Sequence, residues 1–469
     1  MTQPAPSVPR QKTFEHHTIY PIPVHERHGR VSDLFTVWFS ANMTLLTVVT
    51  GALAPVVFGL SLVWSVLAIV LGNMAGAVFM ALHAAQGPQL GVPQMVQSRG
   101  QFGLYGSVPV IVLVILMYMG FAASNCVVGG EALTHVVPAL GRTGSIVLVA
   151  FLTLVPCAMG YRTIHLCSKV ASWISAAAVL LALVCTLRSL SPGLLGNLHG
   201  SVAGFFGAFS VAALWQIAYA PYVSDSSRYL PPTQRAMRLA FGASYGGSVI
   251  GAVLPMILGS LLALQWPGLP VAAALADATG PLGGVILLVL ALAIPLANAM
   301  SVYCGTLCSL TFVQTFRPAW HFGMPARLGT TVALLALALL MSLGMADDFL
   351  KAYTSFLDVL MAILVPWTAI NLTDYYLLRH GEYDVAAFFA PDGGRYGRIN
   401  VAAMVCYLIG VAVELPFLHI SLYTGWAAHW MRNVDLSWLV SLTVTSLIYW
   451  LWMRRAASAQ ALLHSGHAE

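Results

Sequence analysis

Two stretches decide the fold: WFSANMTLLTVVTGALAPVVFG at residues 38–59 and GAFSVAALWQIAYAPYVSDSSRYLP at residues 207–231. Both are mainly apolar, and both carry helix breakers, Gly51 and Pro55 in the first and Pro221 in the second. Inside hydrocarbon, a helix is interrupted only where protein or a water-filled cavity satisfies the freed backbone groups. Paired interruptions in corresponding positions of two halves are typical of transporters with a binding site near the membrane midplane.

The composition places most of the chain in a bilayer. Of the 469 residues, 59% are hydrophobic and 8% are charged, whereas soluble domains carry about 25% charged residues. Charges, polar turns and Gly/Pro clusters separate twelve apolar blocks: 33–58, 62–84, 107–133, 144–160, 168–187, 200–222, 238–264, 282–310, 328–346, 350–376, 399–424 and 434–453. The sequence therefore predicts an all-α polytopic membrane protein with about twelve transmembrane helices. A small interfacial helix is expected in the long loop at 86–106.

The basic residues predict which side of the membrane each loop faces. With the N-terminus inside, 17 of the 21 Lys and Arg residues fall on the cytoplasmic side, and the other four are Arg142, Arg188, Lys351 and Arg432. This is the positive-inside bias of membrane proteins. We expect a multi-pass protein of the inner (plasma) membrane, with cytoplasmic tails at 1–30, expected to be flexible, and at 456–469. The net charge of +5 is too small and scattered to indicate nucleic-acid binding.

The sequence shows no pattern typical of a metal centre, an enzyme or a channel. All seven Cys residues lie in apolar segments, without the Cys/His spacing of a zinc site. His83 and His165 are isolated from any carboxylate at short spacing, so no nucleophile–base set is visible. Repeated filter loops or rings of charge, which channels use, are also absent from the sequence. No metal and no cofactor are expected, and a channel or a membrane enzyme is a remote alternative.

Several amide side chains fall at membrane depth, where each is costly unless it is paired or lines water. They lie in predicted spans one, three, six and eight: Asn42, Asn125, Gln216 and Asn298. Phe121 precedes Asn125 by four residues, so its ring and the amide share one helix face. Trp215 and Tyr219 flank Gln216 in a similar way. Aromatic faces beside amides suit a flat, uncharged, hydrogen-bonding ligand, although each residue alone is more often an interhelical contact.

Five stretches together resemble the nucleobase–cation symporter family, the first of two with that name, close to its purine–cytosine permease branch. They are WFSANM…GALAPVVFG (38–59), GVPQMVQSRGQFG (91–103), GFAASN (120–125), APYVSDSSRYLP (220–231) and VPWTAINLTDYYLLRHGEYD (365–384). The resemblance covers nearly the whole chain. It implies a LeuT-like five-plus-five inverted repeat, here 31–190 and 199–380, with two extra helices within 399–455.

The resemblance also implies a function, secondary active import of a planar heterocycle by alternating access. The expected substrate is a nucleobase, cytosine or a purine, or a similar planar N-heterocycle, carried together with a proton or, as the second choice, sodium. Hydantoin, allantoin, a pyridoxine-type vitamin or a thiamine precursor on the same fold is the alternative. The expected partners are therefore the substrate, the coupling cation and the lipid bilayer.

The family places its substrate between spans one, three, six and eight. The matching positions carry the predicted substrate-binding residues: Ser40, Asn42, Phe121, Asn125, Trp215, Gln216, Tyr219, Asn298 and Ser301. Trp is more usual than Phe at the position of Phe121. An unwound span six leaves open whether Trp215 or Tyr219 is the family's aromatic residue there.

The resemblance bears on the coupling ion as well. Sodium-coupled relatives have neighbouring Ser and Thr hydroxyls in span eight, where this chain has Pro-Leu-Ala at 295–297, and this departure favours a proton. A Lys buried in span five could replace the cation, since burial lowers the pKa of Lys. Lys169 is that candidate, unless it marks the cytoplasmic end of its span. Asp225 and Arg228, three residues apart, are either a surface ion pair or a cytoplasmic gate. Asp358, Asp374 and Glu414 stay unassigned.

Overall fold

Helices make up nearly all of the chain, as the apolar blocks predict. A computed structural model describes residues 19–159, 161–320, 323–420 and 423–465, leaving aside the side chains at 158–166, 168 and 457–465. The predicted tails therefore lie outside the described residues at 1–18 and 466–469. The helices are α1 Val31–Asn42, α2 Leu45–Val56, α3 Leu62–Leu90, α4 Gln94–Phe102, α5 Ser107–Val136, α6 Gly141–Met159, α7 Tyr161–Arg188, α8 Pro192–Gly196, α9 Val202–Ile217, α10 Val223–Ser227, α11 Gln234–Gln265, α12 Val271–Thr279, α13 Gly283–Phe316, α14 Met324–Met345, α15 Phe349–Leu372, α16 Val401–Glu414, α17 Trp426–Trp430 and α18 Ser437–Ser465.

Each predicted span contains a helix, which confirms the fold class. Among the described residues, eight helical segments are long and apolar enough to cross a membrane, and the bent pair α1–α2 makes a ninth. α9, α16 and α18 lie in predicted spans six, eleven and twelve. Span eleven was predicted too long, because α16 ends at Glu414 and Pro416 prevents its continuation. A two-stranded antiparallel hairpin follows, with β1 at His419–Ile420 and β2 at Tyr423–Thr424.

The break in the first span is real, but it lies at a different position from the predicted one. α1 ends at Asn42, α2 begins at Leu45, and the two helices are bent by 58°. The predicted breakers Gly51 and Pro55 lie inside α2. Because Pro55 has no N–H for the Gly51 carbonyl, that carbonyl accepts from Ser260 Oγ at 2.7 Å instead. The break itself follows from polar capping, since Thr44 Oγ1 accepts from Thr47 N at 3.4 Å.

The break in the sixth span lies where the sequence predicts it. α9 ends at Ile217 and α10 begins at Val223, with Pro221 between them. Turn hydrogen bonds, such as Tyr219 N to Gln216 O at 3.1 Å, hold the intervening residues. Two helix ends therefore meet the interior at this level, as they do at the α1–α2 break.

The spans pack in two groups. α1–α2, α3, α9 and α11 pack against one another, and α5, α6, α13 and α14 form the other group. These are spans one, two, six and seven and spans three, four, eight and nine, so corresponding members of the two predicted repeats share a group. α7 contacts both groups, and α15 packs on α5, α16 and α18.

Two glycines allow α2 and α11 to approach closely. A Cβ added to Gly51 would lie 1.9 Å from Met256 O, and one added to Gly259 would lie 1.8 Å from Val48 O. Small residues at such contacts allow backbones to meet in a membrane, where packing rather than the hydrophobic effect drives association.

The helix predicted between spans two and three is α4, and it is buried rather than interfacial. Arg99, 1% exposed, donates to Phe388 O at 2.9 Å and to Gln314 Oε1 at 2.8 Å. Burial lowers the pKa of Arg99 to about 10, so the guanidinium remains charged at neutral pH. α4 thereby anchors the loop after α15 to the end of α13.

Residues 19–30 were predicted within a flexible tail, yet they pack on the helices. Ile19 and Ile22 are buried, and Ile22 N donates to Gly91 O at 3.1 Å. Arg27 Nη1 donates to Pro88 O at 2.6 Å. These contacts are with the C-terminal end of α3, so residues 19–30 are part of the folded structure. At the other terminus, α18 continues as a helix into the predicted tail, to Ser465.

Candidate substrate-binding cavity

A cavity lies where the two broken spans pass α5, α7 and α13. It encloses about 1250 Å³ of space without protein atoms, including the part open to the outside. Six predicted substrate-binding residues line it: Ser40, Phe121, Asn125, Trp215, Tyr219 and Ser301. Lys169 and Asp225 line it as well. The structure therefore brings together residues that lie up to 261 positions apart in the chain, from Ser40 to Ser301.

One wall of the cavity is aromatic. The Phe121 ring meets Trp215 edge-on with centroids 5.9 Å apart, and Trp215 meets Tyr219 at 6.2 Å. Trp38 lies 5.3 Å from Tyr219, which lies 5.8 Å from Tyr222. Such edge-on pairs leave ring faces available for stacking on a planar molecule.

Two residues that line the cavity each carry a buried polar atom without a hydrogen-bond partner among the described residues. These atoms are Oδ1 of Asn125 and Nε1 of Trp38, on side chains that are 7% and 2% exposed. A buried polar group without a partner costs about 1–3 kcal/mol. A ligand that offers a donor to Asn125 and an acceptor to Trp38 would recover that free energy.

Asn42 lies behind the cavity wall rather than in it. Its Oδ1 accepts from Trp215 Nε1 at 2.6 Å and from Tyr219 OH at 3.1 Å. Its Nδ2 donates to Trp38 O at 2.6 Å and Ser248 Oγ at 3.3 Å. All four hydrogen-bonding positions of the amide are therefore used within the protein, and Asn42 holds two aromatic side chains in place.

Gln216 and Asn298 are likewise outside the cavity lining. Gln216 Nε2 donates to Asn73 Oδ1 at 2.7 Å, and its Oε1 accepts from Ser248 Oγ. Asn298 Nδ2 donates to Ala122 O at 3.2 Å, which joins α13 to α5. The structure places both amides in interhelical contacts. This is the alternative to substrate binding that the sequence left open for each of these residues.

Lys169 lies at the mouth of the cavity and is not buried. Its side chain is 46% exposed, and Nζ lies 3.6 Å from Asp33 Oδ1. The sequence-based role depended on burial, because a low-dielectric site is what shifts a Lys pKa into a useful range. That condition is not met. Lys169 lies eight residues after the start of α7, and it is the first residue of the apolar segment Lys169–Arg188.

The two gate candidates lie on and just after α10. Asp225 Oδ1 accepts from Gln94 N at 2.9 Å, which joins the broken span to α4. Its neighbour Ser224 donates to Gln94 Oε1 at 2.5 Å. Arg228 is 1% exposed and lies over the Tyr229 ring at 5.3 Å. Arg228 is therefore no surface residue, and α4 is a part of this end of the cavity that the sequence did not indicate.

α15 covers the opposite end of the cavity. Tyr353 OH and Thr50 Oγ1 are 2.8 Å apart, and the rings of Phe121 and Phe356 meet edge-on at 5.2 Å. The space extends instead toward Lys169 and Asp225. The structure therefore shows a cavity closed at one end and accessible toward the other.

Trp38, Ser172 and Tyr222 are among the lining residues that the sequence did not indicate. Trp38 had a usable signal, because it precedes Asn42 by four residues and so shares its helix face. Ser172, whose hydroxyl is hydrogen-bonded to Ser40, lies in an apolar stretch without any motif. Its contribution depends on the packing of α7 against α1, which no local pattern records.

Comparisons with known proteins agree with this architecture. The chain is 36% identical over 445 residues to YxlA of Bacillus subtilis, provisionally named a purine-cytosine permease, covering 94% of this chain and 96% of the relative. It is 26% identical over 407 residues to the purine-cytosine permease FCY2 of Saccharomyces cerevisiae, covering 81% and 74% of the two chains.

A solved structure shows the same fold. Mhp1, a nucleobase-cation-symport-1 family transporter in a closed conformation with bromovinylhydantoin bound, superposes with a TM-score of 0.78 at 17% identity. The match covers 96% of this chain and 97% of Mhp1. The family model for permeases of cytosine/purines, uracil, thiamine and allantoin matches residues 21–441. The chain therefore belongs to this permease family, the nucleobase–cation symporters that its motifs resemble.

Proposed function

We propose that this protein imports a nucleobase, cytosine or a purine, by proton symport and alternating access. One observation carries the proposal: the aromatic cavity between the two broken spans is lined by Asn125 and Trp38, whose amide oxygen and indole N–H have no hydrogen-bond partner among the described residues. A nucleobase is flat, and its edges carry N–H donors beside carbonyl or ring-nitrogen acceptors. A ring N–H would donate to Asn125 Oδ1, and an acceptor would face Trp38 Nε1.

The names of the relatives support the same substrate class. YxlA and FCY2 both carry the name purine-cytosine permease. The bound hydantoin of Mhp1 is also a planar ring with alternating donors and acceptors, which suits a wall of this kind. Hydantoin, allantoin and the vitamin-type rings are the second choice, to be separated by the uptake measurement below.

Sidedness follows from the basic residues. The open end of the cavity, at Lys169 and Asp225, is the end predicted to face the cytoplasm, and α15 would close the cavity from outside. Substrate would enter when the two helix groups rearrange to open the α15 end. We assign the protein to the inner (plasma) membrane, with both termini cytoplasmic. We assign no catalytic step to any of its residues.

The coupling ion is proposed to be a proton. The run Pro-Leu-Ala at 295–297 has no hydroxyl to add to the carbonyl oxygens that a sodium ion would need from α1 and α13. Hard cations prefer an oxygen-only shell, so two missing oxygens weaken such a site. Lys169 stays a candidate only for the charge balance at the cavity mouth.

The experiment is uptake of radiolabelled cytosine, adenine and hypoxanthine into cells that lack their own permeases. We expect saturable uptake of at least one base, abolished by a protonophore and unaffected by removal of sodium. Unlabelled hydantoin, allantoin and pyridoxine serve as competitors. If none of the three bases enters cells whose membranes contain the protein, the substrate assignment is wrong. In that case, uptake of labelled hydantoin, allantoin and pyridoxine is measured directly, because a competition assay needs a transported base.

A further inference from the structure

Glu414 is a carboxyl group buried outside the two repeats. It is the last residue of α16, which packs against both α15 and α18. Its side chain is 0% exposed, and neither carboxyl oxygen has a hydrogen-bond partner among the described residues. Nothing in the proposed substrate site uses it. Because burying a charged carboxyl group costs free energy, the charge state of Glu414 has to be explained.

The surroundings of Glu414 favour the neutral acid. An ionised carboxylate without partners costs several kcal/mol in an apolar interior. The Ser441 hydroxyl lies beside it, but its hydrogen is donated to Gly410 O at 3.0 Å. Within the described part of the chain, no Lys, Arg or His forms an ion pair with Glu414. In this conformation the carboxyl group therefore holds a proton.

The other titratable groups around this interface do not offer compensation. Asp435, just before α18, contributes a second negative charge near Glu414. Asp358 on α15 faces the same Asp435, and Tyr407 is the titratable neighbour on α16 itself. None of these groups carries a positive charge, and the Asp435 carboxylate disfavours a negative charge at Glu414.

A buried polar stripe on α18 connects this site with the opposite end of the interface. Ser437, Ser441, Thr445 and Tyr449 follow one another at intervals of four residues, so they share one helix face, and all are at most 1% exposed. Tyr449 OH donates to Asp374 Oδ1 at 2.9 Å. Glu414 thus has polar neighbours toward Asp435 in one direction and toward Asp374 in the other.

The interface also includes the helix that covers the substrate cavity. α15 carries Tyr353 and Phe356, which contact Thr50 and Phe121 at the closed end. An ionised Glu414 would need water or a partner, and it would therefore favour an arrangement in which α15 has shifted on α16 and α18. A ligand shifts a two-state equilibrium only through such a difference between the states.

The geometry points to Glu414 as the binding site of the coupling proton. Taking up one proton turns its carboxylate into the neutral acid that this arrangement favours, with α15 over the cavity. Releasing that proton to water restores the carboxylate and favours the rearranged state. This assignment rests on the proposed proton symport, and it places the proton outside the substrate cavity and outside both repeats.

The test uses the full-length protein in liposomes with Glu414→Gln, which keeps the shape of the neutral acid but binds no proton. Two activities are measured: accumulation of radiolabelled cytosine under an imposed pH gradient, and exchange of labelled for unlabelled cytosine without a gradient. We expect exchange within about twofold of the unsubstituted protein and loss of accumulation, because exchange needs no net proton movement. Glu131→Gln is the matched control. Glu131 is a carboxyl residue of α5 near Arg142 and His135, and the variant should retain both activities.

Failure of the inference is distinguishable from failure of the proposed function. If the unsubstituted protein accumulates cytosine with protons and Glu414→Gln does so equally, Glu414 is not the site. If the unsubstituted protein shows no proton-driven accumulation, the proposed function fails first.

A second measurement covers the case in which Glu414→Gln does not fold. Dicyclohexylcarbodiimide attacks protonated carboxyl groups in apolar surroundings, and mass spectrometry of the unsubstituted protein locates the adduct. We expect Glu414 to be modified, more slowly as the pH rises, with accumulation lost along with it. No adduct at any pH would overturn the assignment.

Discussion

At the scale of single residues, the amide side chains in the membrane interior are of two kinds. Some have their hydrogen-bonding atoms paired within the protein, and others do not. The amide of Asn42 is hydrogen-bonded to Trp38, Ser248, Trp215 and Tyr219. Asn125 lines the cavity, and its amide oxygen has no hydrogen-bond partner in the part of the chain that the structure describes. The first residue therefore shapes the site, and the second is available to a substrate.

Asn125→Ala tests this difference. Loss of one hydrogen bond to a substrate costs about 1–1.5 kcal/mol, so the KM for uptake should rise about tenfold. Ser124→Ala is the matched control, because Ser124 Oγ donates to Gly120 O at 2.8 Å and does not line the cavity. Equal KM values for the two variants would remove Asn125 from the binding site.

Sequence alone could not separate Asn125 from Asn42 or Gln216, because all three are amides in apolar helices. Their difference arises from tertiary partners, such as Ser248, which lies 206 residues after Asn42 in the chain. Phe121 and Asn125 were identified together because a spacing of four residues is local information. Lys169 was placed on the right helix, but its exposure depends on how α7 packs against α1, where its Nζ lies 3.6 Å from Asp33 Oδ1.

At the scale of elements, the two broken spans were predictable in number but only partly in position. Pro221 lies in the break of span six, where the Ile217 carbonyl accepts from Ala220 N at 2.9 Å in a turn instead of from a helical N–H. Pro55 in α2 is tolerated, because Ser260 supplies the missing hydrogen bond from another helix. The break between α1 and α2 instead depends on the Thr44 cap and on Asn42, which are ordinary polar residues by sequence.

The close contact of α2 with α11 should be sensitive to one methyl group. Gly259→Ala places a Cβ 1.8 Å from Val48 O, and overpacking of this kind costs about 1–3 kcal/mol. We expect a lower Tm in detergent and a lower yield of folded protein. Gly284→Ala on α13 meets nothing within 4 Å and should keep the Tm unchanged or raise it. A Tm that falls equally in both variants would contradict the packing described.

At the scale of the whole molecule, the two helix groups meet at the cavity, whose lining reaches the half-exposed Lys169. The broken spans belong to one group, while α5 and α13 belong to the other. A substrate between them contacts both groups at once, so relative movement of the groups would change access without dismantling either one.

Cysteine labelling tests the sidedness of the cavity. Ala171→Cys, in a chain whose seven native Cys residues are replaced, lines the cavity near its open end. A membrane-impermeant maleimide should label it in inside-out vesicles and not in intact cells. Leu340→Cys, 69% exposed on α14 and expected to face lipid, should react from neither side. Labelling of Ala171→Cys in intact cells would reverse the proposed orientation.

The central claim is that this cavity carries a nucleobase across the membrane with protons. The most direct measurement places the purified protein in liposomes and imposes a pH gradient, acidic outside, with radiolabelled cytosine, adenine or hypoxanthine. We predict saturable accumulation of at least one base above its external concentration, collapsing when a protonophore is added. Accumulation of none of the three bases under the pH gradient, with the protein inserted and folded, would contradict the claim. Accumulation that only a sodium gradient drives would contradict its proton part.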